Sequence, residues 1–335
     1  MMTQMLRELG RARTRAFVVL VLIAVLFSVR SVWAQTSYDK IAFSIPSRSI
    51  AAIDLYVAKE RGFFRDEGLD VEIVQIRGNV AVAAALSGQV QATNGIGTVI
   101  RAMSRSEIPM KVLTVSLVRN LFWLVARPGL KSISQLKGKI LGTTTFGGSQ
   151  HTAATRLIRK GGLDPDKDLT VVVGGDVPAQ LQSLVTGAID VAALSPPTVI
   201  LARDKFNMNI LGSAMDDFAN LQNGTAVTEQ FLREQRPLLK RILRARAKAN
   251  RYFFENERGA SEVLAKYQNV EFPVALESYR LAKPAFTSNG IPAQKELEEF
   301  LKAEAELLKL KEPVTASKIF DFSLQREVNQ ELGIK

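Results

Sequence analysis

The sequence predicts an α/β protein of two similar lobes, each built on a parallel-rich sheet and joined by a two-strand hinge. Three observations carry this: the length, an internal repeat with a period near 100 residues, and strands that alternate with helices inside each copy. Single hydrophobic cores rarely grow past roughly 250–300 residues. The chain has 335.

The repeat relates residues 38–97 to residues 138–196. Lys40-Ile41 matches Lys139-Ile140 where a strand opens, and Gly62 matches Gly161 where a helix closes. The strand 69–73 matches 169–173, and Leu86-Ser87-Gly88 matches Val185-Thr186-Gly187. The offsets are 99, 99, 100 and 99 residues. Each copy reads β–α–β–α–β, with short apolar strands at 41–45, 71–76 and 90–93 in the first. Glycine is favoured just past a helix C-terminus. Strands alternating with helices imply parallel sheets with right-handed crossovers.

Two apolar segments, 110–118 and 121–129, lead out of the first copy, and Arg127-Pro128-Gly129 breaks the pattern before the second begins. The second copy ends around 209–214. Helical patterns then cover 228–235, 237–256, 260–267, 293–310 and 323–332. With no sheet of their own, these helices are expected to return to the first lobe. The expected division is a leader at 1–34, a first lobe of 35–126 plus 213–335, and a second lobe of 127–212. The hinge is expected near 125–128 and 211–214.

Residues 1–34 have the character of a secretory leader. Arg7, Arg11, Arg13 and Arg15 precede an unbroken apolar run at 16–27, and Val32-Trp33-Ala34 supplies a cleavage site after Ala34. A bilayer-spanning helix needs about 20 apolar residues, and Arg30 interrupts this run too soon. The chain is therefore expected in the periplasm. The absence of cysteine excludes disulfides, thiol nucleophiles, thiolate metal sites and a lipid-modified cysteine.

Net charge is +11, and five Arg and one Glu lie before residue 35, leaving +7 on the remainder. A basic balance can signal nucleic acid. Here the densest basic segment, 240–251, reads as an amphipathic helix. Leu239, Ile242 and Leu243 lie on one face, and Lys240, Arg244 and Lys248 recur every four residues on the other. That pattern is a solvated helix face, and no nucleic-acid partner is expected.

Ligands of open parallel sheets bind beyond the carboxyl ends of the strands. In this chain those ends are Gly-, Ser-, Thr- and Asn-rich loops at 46–49, 77–79, 94–97, 143–149, 174–176 and 195–197, each leading into a helix. Helix N-termini present unpaired N–H groups and partial positive charge, which suits carboxylate, sulfonate or similar anions. The same residue types also serve as ordinary turns and caps. No G-x-G-x-x-G follows a strand, and no Walker lysine follows a glycine-rich loop.

Three segments carry a family resemblance: LYVAKERGFFRDEGLDVEI at 55–73, GGSQHTAATRLIRKGGL at 147–163 and GDVPAQLQSLVTGAIDVAALSPP at 175–197. They resemble the nitrate/taurine/aliphatic-sulfonate-type binding proteins of ABC importers. The resemblance implies a type II-like periplasmic-binding-protein fold that closes on a small solute and docks transiently, as a monomer, on a membrane permease. A lone His without Cys or a clustered carboxylate partner gives no metal site, and no nucleophile–base–oxyanion constellation is present, so no cofactor, no metal and no enzymatic activity are expected.

By position the resemblance also implies solute contacts at Ser47, Arg48, Gly78, Asn79, Ile96 and Gly97 in the first lobe. In the second lobe the corresponding positions are Thr144, Thr145, Phe146, Ser149, His151, Thr152, Asp176 and Ser195. Sulfonate-type members often carry Gly-Ser-Ser-Ala-His where this chain has Gly147-Gly148-Ser149-Gln150-His151. His151 is either a ligand contact or a structural residue at a helix N-terminus. Arg48 either pairs with an anion or is a solvated loop charge. Phe146 either stacks on a ligand or walls the cleft. A related pyrimidine-forming thiamine-precursor synthase relies on a cysteine-rich motif that this chain lacks. A ligand sensor docking on a receptor ectodomain would use the same two lobes. Trp123, the one tryptophan after the leader, lies on a strand expected to enter the hinge.

Overall fold

Short strands with apolar residues in step build two sheets of five strands each. The computed structural model describes residue 2 and residues 38–215 and 220–335; the expected leader and its cleavage site lie outside the described residues. The strands are β1 (Asp39–Ile45), β2 (Leu69–Gln75), β3 (Ala92–Thr93), β4 (Met110–Val115), β5 (Trp123–Ala126), β6 (Ile140–Thr143), β7 (Thr170–Val173), β8 (Val191–Leu194), β9 (Asn209–Ser213) and β10 (Gly224–Thr228).

The first sheet has the order β2-β1-β3-β10-β4 and the second β7-β6-β8-β5-β9. In each, the repeat supplies three parallel strands: β1 pairs with β2 and β3, and β6 pairs with β7 and β8. Each sheet then takes in one antiparallel strand, β10 beside β3 and β5 beside β8. The two sheets therefore have the same topology, as the 100-residue repeat predicts.

The crossing points differ from expectation. Trp123–Ala126, expected in the first lobe, pairs with β8 and β9 in the second sheet. The chain passes between the sheets after β4 and after β9, so the first crossing lies before 125–128, while the second follows Ser213, at the edge of the expected 211–214. Strand β5 is buried along its whole length and is paired on both sides, by β8 and by β9. Arg127-Pro128-Gly129 is only the turn that follows it.

The helices of the first copy are α1 (Ile53–Glu60), α2 (Phe63–Asp66), α3 (Gly78–Leu86) and α4 (Ile96–Arg105). Those of the second are α5 (Ser149–Lys160), α6 (Pro165–Asp168), α7 (Val177–Thr186) and α8 (Thr198–Phe206). The two matched glycines act differently. Gly62 has φ 80°, the left-handed region that other residues occupy only under strain. Gly161 has ordinary φ, but a Cβ there would meet the Ile133 side chain at 2.6 Å.

The C-terminal helices are α9 (Glu229–Glu234), α10 (Arg236–Glu255), α11 (Glu257–Gln268), α12 (Phe272–Ala282), α13 (Gln294–Leu308), α14 (Ala316–Ile319) and α15 (Ser323–Leu332). Of these, α10 packs on α1, α2 and α15, and α13 packs on α4. Helix α12 was missed by the sequence reading; it opens with Pro273, tolerated in a first turn, and also touches α8.

The basic face of α10 is not simply solvated. Lys240 reaches Glu331 of α15 at 2.6 Å, and Arg244 and Lys248 both pair with Glu67, at 3.1 and 2.7 Å.

Candidate functional site

The carboxyl ends of the strands in both sheets face a cleft between the lobes, and helices begin there. Following β3, Asn94-Gly95 leads into α4; following β6, residues 144–148 lead into α5. Following β7, Asp176 caps α7, its carboxylate accepting from Ala179 N at 3.0 Å. Following β8, residues 195–197 lead into α8. Each of these four helices has nine or more residues, enough to present an N-terminal dipole to the cleft.

The first lobe lines the cleft with Pro46, Ser47, Ser49, Gly97 and Thr98, and the second with Thr144, Thr145, Gly148, Ser149 and Ser195. Leu121, Phe122, Gln222 and Asn223 close it from the two crossings. Among the described residues, no Asp, Glu, Lys, Arg or His lines this cleft. Its charge character therefore comes from backbone dipoles and hydroxyls. The Ser195 Oγ and Thr145 Oγ1 atoms are buried and have no hydrogen-bond partner within the chain. A buried hydroxyl without a partner costs about 1–3 kcal/mol, which a solute oxygen would relieve.

The lobes touch across the cleft. Val177 N donates to Ser47 Oγ at 3.3 Å, Gln75 Nε2 to Asp176 Oδ2 at 3.0 Å, and Ile50 N to the Pro196 carbonyl at 3.4 Å. The space left is about 60 Å³, against roughly 300–1,000 Å³ for small-molecule sites. A solute enters only if the lobes part.

Gln150 underpins the site. Its Oε1 accepts from Thr144 N at 2.6 Å, and its Nε2 donates to the Ala193 carbonyl at 2.6 Å and to Gln180 Oε1 at 2.8 Å. One amide thus ties the first turn of α5 to the ends of β6 and β8 and to α7. The larger residue at this position is a brace for the loop.

Of the expected contacts, Ser47, Gly97, Thr144, Thr145, Ser149 and Ser195 come together in this cleft. Phe146, His151 and Thr152 instead line a wider groove of about 950 Å³ beside it, between α4, α5 and the end of α13. There His151 Nδ1 accepts from Gly147 N at 3.3 Å, and its ring meets the edge of Phe146 at 5.8 Å. Burial pushes the imidazole below its usual value, outweighing the Asp166 carboxylate that favours the charged form, with Arg101 and Arg159 adding to the lowering.

The remaining expected contacts lie elsewhere. Arg48 and Asn79 are exposed. Ile96 is fully buried in the core. Gly78 packs on Thr98, whose Oγ1 would lie 2.5 Å from an added Cβ. Asp176 is occupied as a cap and by Gln75. The sequence reading missed Leu121, Phe122, Gln222 and Asn223. Only recognition of the true crossing points would have found them.

The sequence pattern of the NMT1/THI5-like family matches residues 50–260. Over 237 residues the chain is 24% identical to the putative binding protein YtlA of Bacillus subtilis (strain 168), covering 69% of this chain and 71% of that one. The periplasmic nitrate-binding protein NrtA of Synechocystis PCC 6803 superposes with a TM-score of 0.69 at 16% identity, covering 90% of each chain. The alkanesulfonate-binding protein SsuA of Xanthomonas axonopodis pv. citri, bound to MOPS, superposes with a TM-score of 0.68 at 16% identity. That match covers 85% of this chain and 98% of the other. The two-lobe architecture is thus the one that periplasmic binding proteins share, and with the family pattern spanning more than half of its length, the chain belongs to the NMT1/THI5-like family.

Proposed function

We propose that the protein is the extracytoplasmic solute-binding component of an ABC importer, taking a small anionic organic solute between its lobes and delivering it to the permease. The observation that carries this reading is a cleft with no charged side chain among its described lining residues, framed by the N-termini of α4, α5 and α8 and holding two unpartnered buried hydroxyls. Such a lining solvates an anion with dipoles and hydroxyls. The alkanesulfonate- and nitrate-binding proteins of the same fold support the anionic class. With no cysteine in the chain and the single histidine engaged by Gly147 N, the reading is of a binding protein and not an enzyme. Residues 1–34 would direct it to the periplasm, where it would act as a monomer. Among the described residues no helix is long and apolar enough to cross a membrane.

The test is a thermal-shift and calorimetric screen of the mature chain with sulfonates, carboxylates, nitrate, amines and neutral solutes. A solute at 100 times its Kd stabilises by about 2.7 kcal/mol, a shift of several degrees. The expected result is a saturable shift for one anion class with a concordant change in Trp123 fluorescence. Saturable binding of amines or neutral solutes alone would overturn the anionic assignment.

A further inference from the structure

A buried ion pair stands just outside the cleft, and the solute site as described makes no use of it. Arg101 lies on α4 and Glu304 on α13, both in the first lobe, with 5% and 2% of their surface exposed. Arg101 Nε reaches Glu304 Oε2 at 2.7 Å, and Nη2 reaches Oε1 at 2.7 Å. Only the Nη2 contact has hydrogen-bond geometry; the pairing as a whole holds the guanidinium against Glu304 by opposite charge. It leaves Nη1, which donates across the lobe boundary to the carbonyl of Gly147 at 2.6 Å.

Gly147 belongs to the loop between β6 and α5, whose Thr145 and Gly148 line the cleft. The lobes also meet close by. A Cβ on Gly97 would lie 2.5 Å from Ser149 Oγ and 3.7 Å from Arg101 Nη1.

We infer that Arg101 is a positioning residue: held in place by Glu304, it fastens the Gly147 loop to the first lobe and so sets how firmly the lobes stay together. The division of labour follows from the geometry. Glu304 neutralises the guanidinium within one lobe, so parting the lobes strands no bare charge and breaks one charge-assisted hydrogen bond. An unpaired arginine would swing into solvent; this one keeps Nη1 aimed at a single point. The bond requires no solute, so the tether acts on the solute-free protein and slows release from the filled one. The inference rests on the reading that the lobes part and close over a solute.

The chain has no cysteine, so two introduced ones can carry spin labels. Leu86→Cys on α3 and Val185→Cys on α7 place them at exposed positions, one per lobe. Pulsed EPR distances are measured without solute in this background, with Arg101→Lys, and with the Arg101→Met/Glu304→Leu pair. Lysine keeps the charge beside Glu304, but its single ammonium lacks the fork that serves Glu304 and Gly147 together. The double variant removes both charges, so neither is left buried alone.

The background should show a population at the distance of the structure. Both variants should lower its ratio to longer distances about tenfold, in keeping with one hydrogen bond to a charged group. Unchanged distributions in Arg101→Lys, which suffices if the double variant does not fold, would overturn the tether. So would a background with no lobes-together population. Because no solute is present, failure of the tether and failure of the anion-binding assignment are read separately.

Discussion

Arg246 Nε donates to Asp54 Oδ2 at 3.1 Å, joining α10 to the first turn of α1 through the interior of the first lobe. Both side chains are about 4% exposed. The guanidinium also donates to the Gly224 carbonyl at 2.7 Å, to Ser116 Oγ at 3.0 Å and to Asn94 Oδ1 at 3.3 Å. Asp54 is further held by Ser116 Oγ at 2.9 Å. Removing one partner leaves a buried charge alone, at a cost of about 3–5 kcal/mol. Asp54→Asn and Arg246→Met should each lower the unfolding free energy in urea by that amount. Because Asn94 opens the loop into α4, Arg246→Met should weaken solute binding as well. A loss below about 1 kcal/mol in both variants would mean that the pair is not an essential interior contact.

Arg246 also shows where sequence reading stops. Its spacing four residues after Ile242 and three before Ala249 puts it on the apolar face of α10, and that signal was legible. Its partner, 192 residues away, was not. The same limit applies to topology. The β–α–β–α–β repeat made three strands of each sheet readable, but the exchange of β5 and β10 between sheets leaves no local mark. At the site, loops after β6 and β8 were placed well because these are interior strands. The loop after β2 was placed poorly: β2 is the edge strand of its sheet, so Gly78 and Asn79 lie away from the centre of the cleft.

Ser195→Ala and Thr145→Ala should separate binding from stability. Neither hydroxyl has a partner within the chain, so removal loses no internal hydrogen bond and should leave urea unfolding within about 0.5 kcal/mol of the parent. A hydrogen bond to a charged solute is worth about 1.5–3 kcal/mol. Each variant should therefore weaken binding of the solute identified by screening about tenfold or more by calorimetry. Equal affinity in both would place the anion elsewhere.

Gln150→Ala should do the reverse, losing stability first. It strips partners from Thr144 N, the Ala193 carbonyl and Gln180 in a buried setting, where each unsatisfied group costs about 1–3 kcal/mol. A fall of about 2–3 kcal/mol in urea unfolding is expected. A variant as stable as the parent would mean that water or a neighbour replaces the amide.

Gly97→Val should hold the lobes apart. The added carbons would collide with Ser149 Oγ, 2.5 Å from the Cβ position, and crowd the Leu221 carbonyl at 3.6 Å. The expected outcome is a larger radius of gyration by small-angle scattering and at least tenfold weaker solute binding. An unchanged radius would show that Ser149 rotates aside and that this contact does not limit closure.

His151 should make stability depend on pH in a defined direction. Burial disfavours the imidazolium more than the nearby Asp166 carboxylate favours it, and Arg101 and Arg159 add to the effect of burial, so the folded-state pKa lies below the ordinary value of 6.5. For a base shifted in this direction the unfolded chain takes up the proton first. Between the folded value and 6.5 it binds more protons than the folded chain, and stability rises with pH. The penalty is absent above 6.5, grows as pH falls through that value, and levels off below the folded pKa. His151→Gln lacks this titration. The difference in unfolding free energy between parent and variant should therefore be flat above about pH 7.5, and should shift against the parent toward about pH 5. If that difference were independent of pH across the window, the imidazole would be titrating alike in the folded and unfolded chains, and its burial against Phe146 would not be protecting the neutral form.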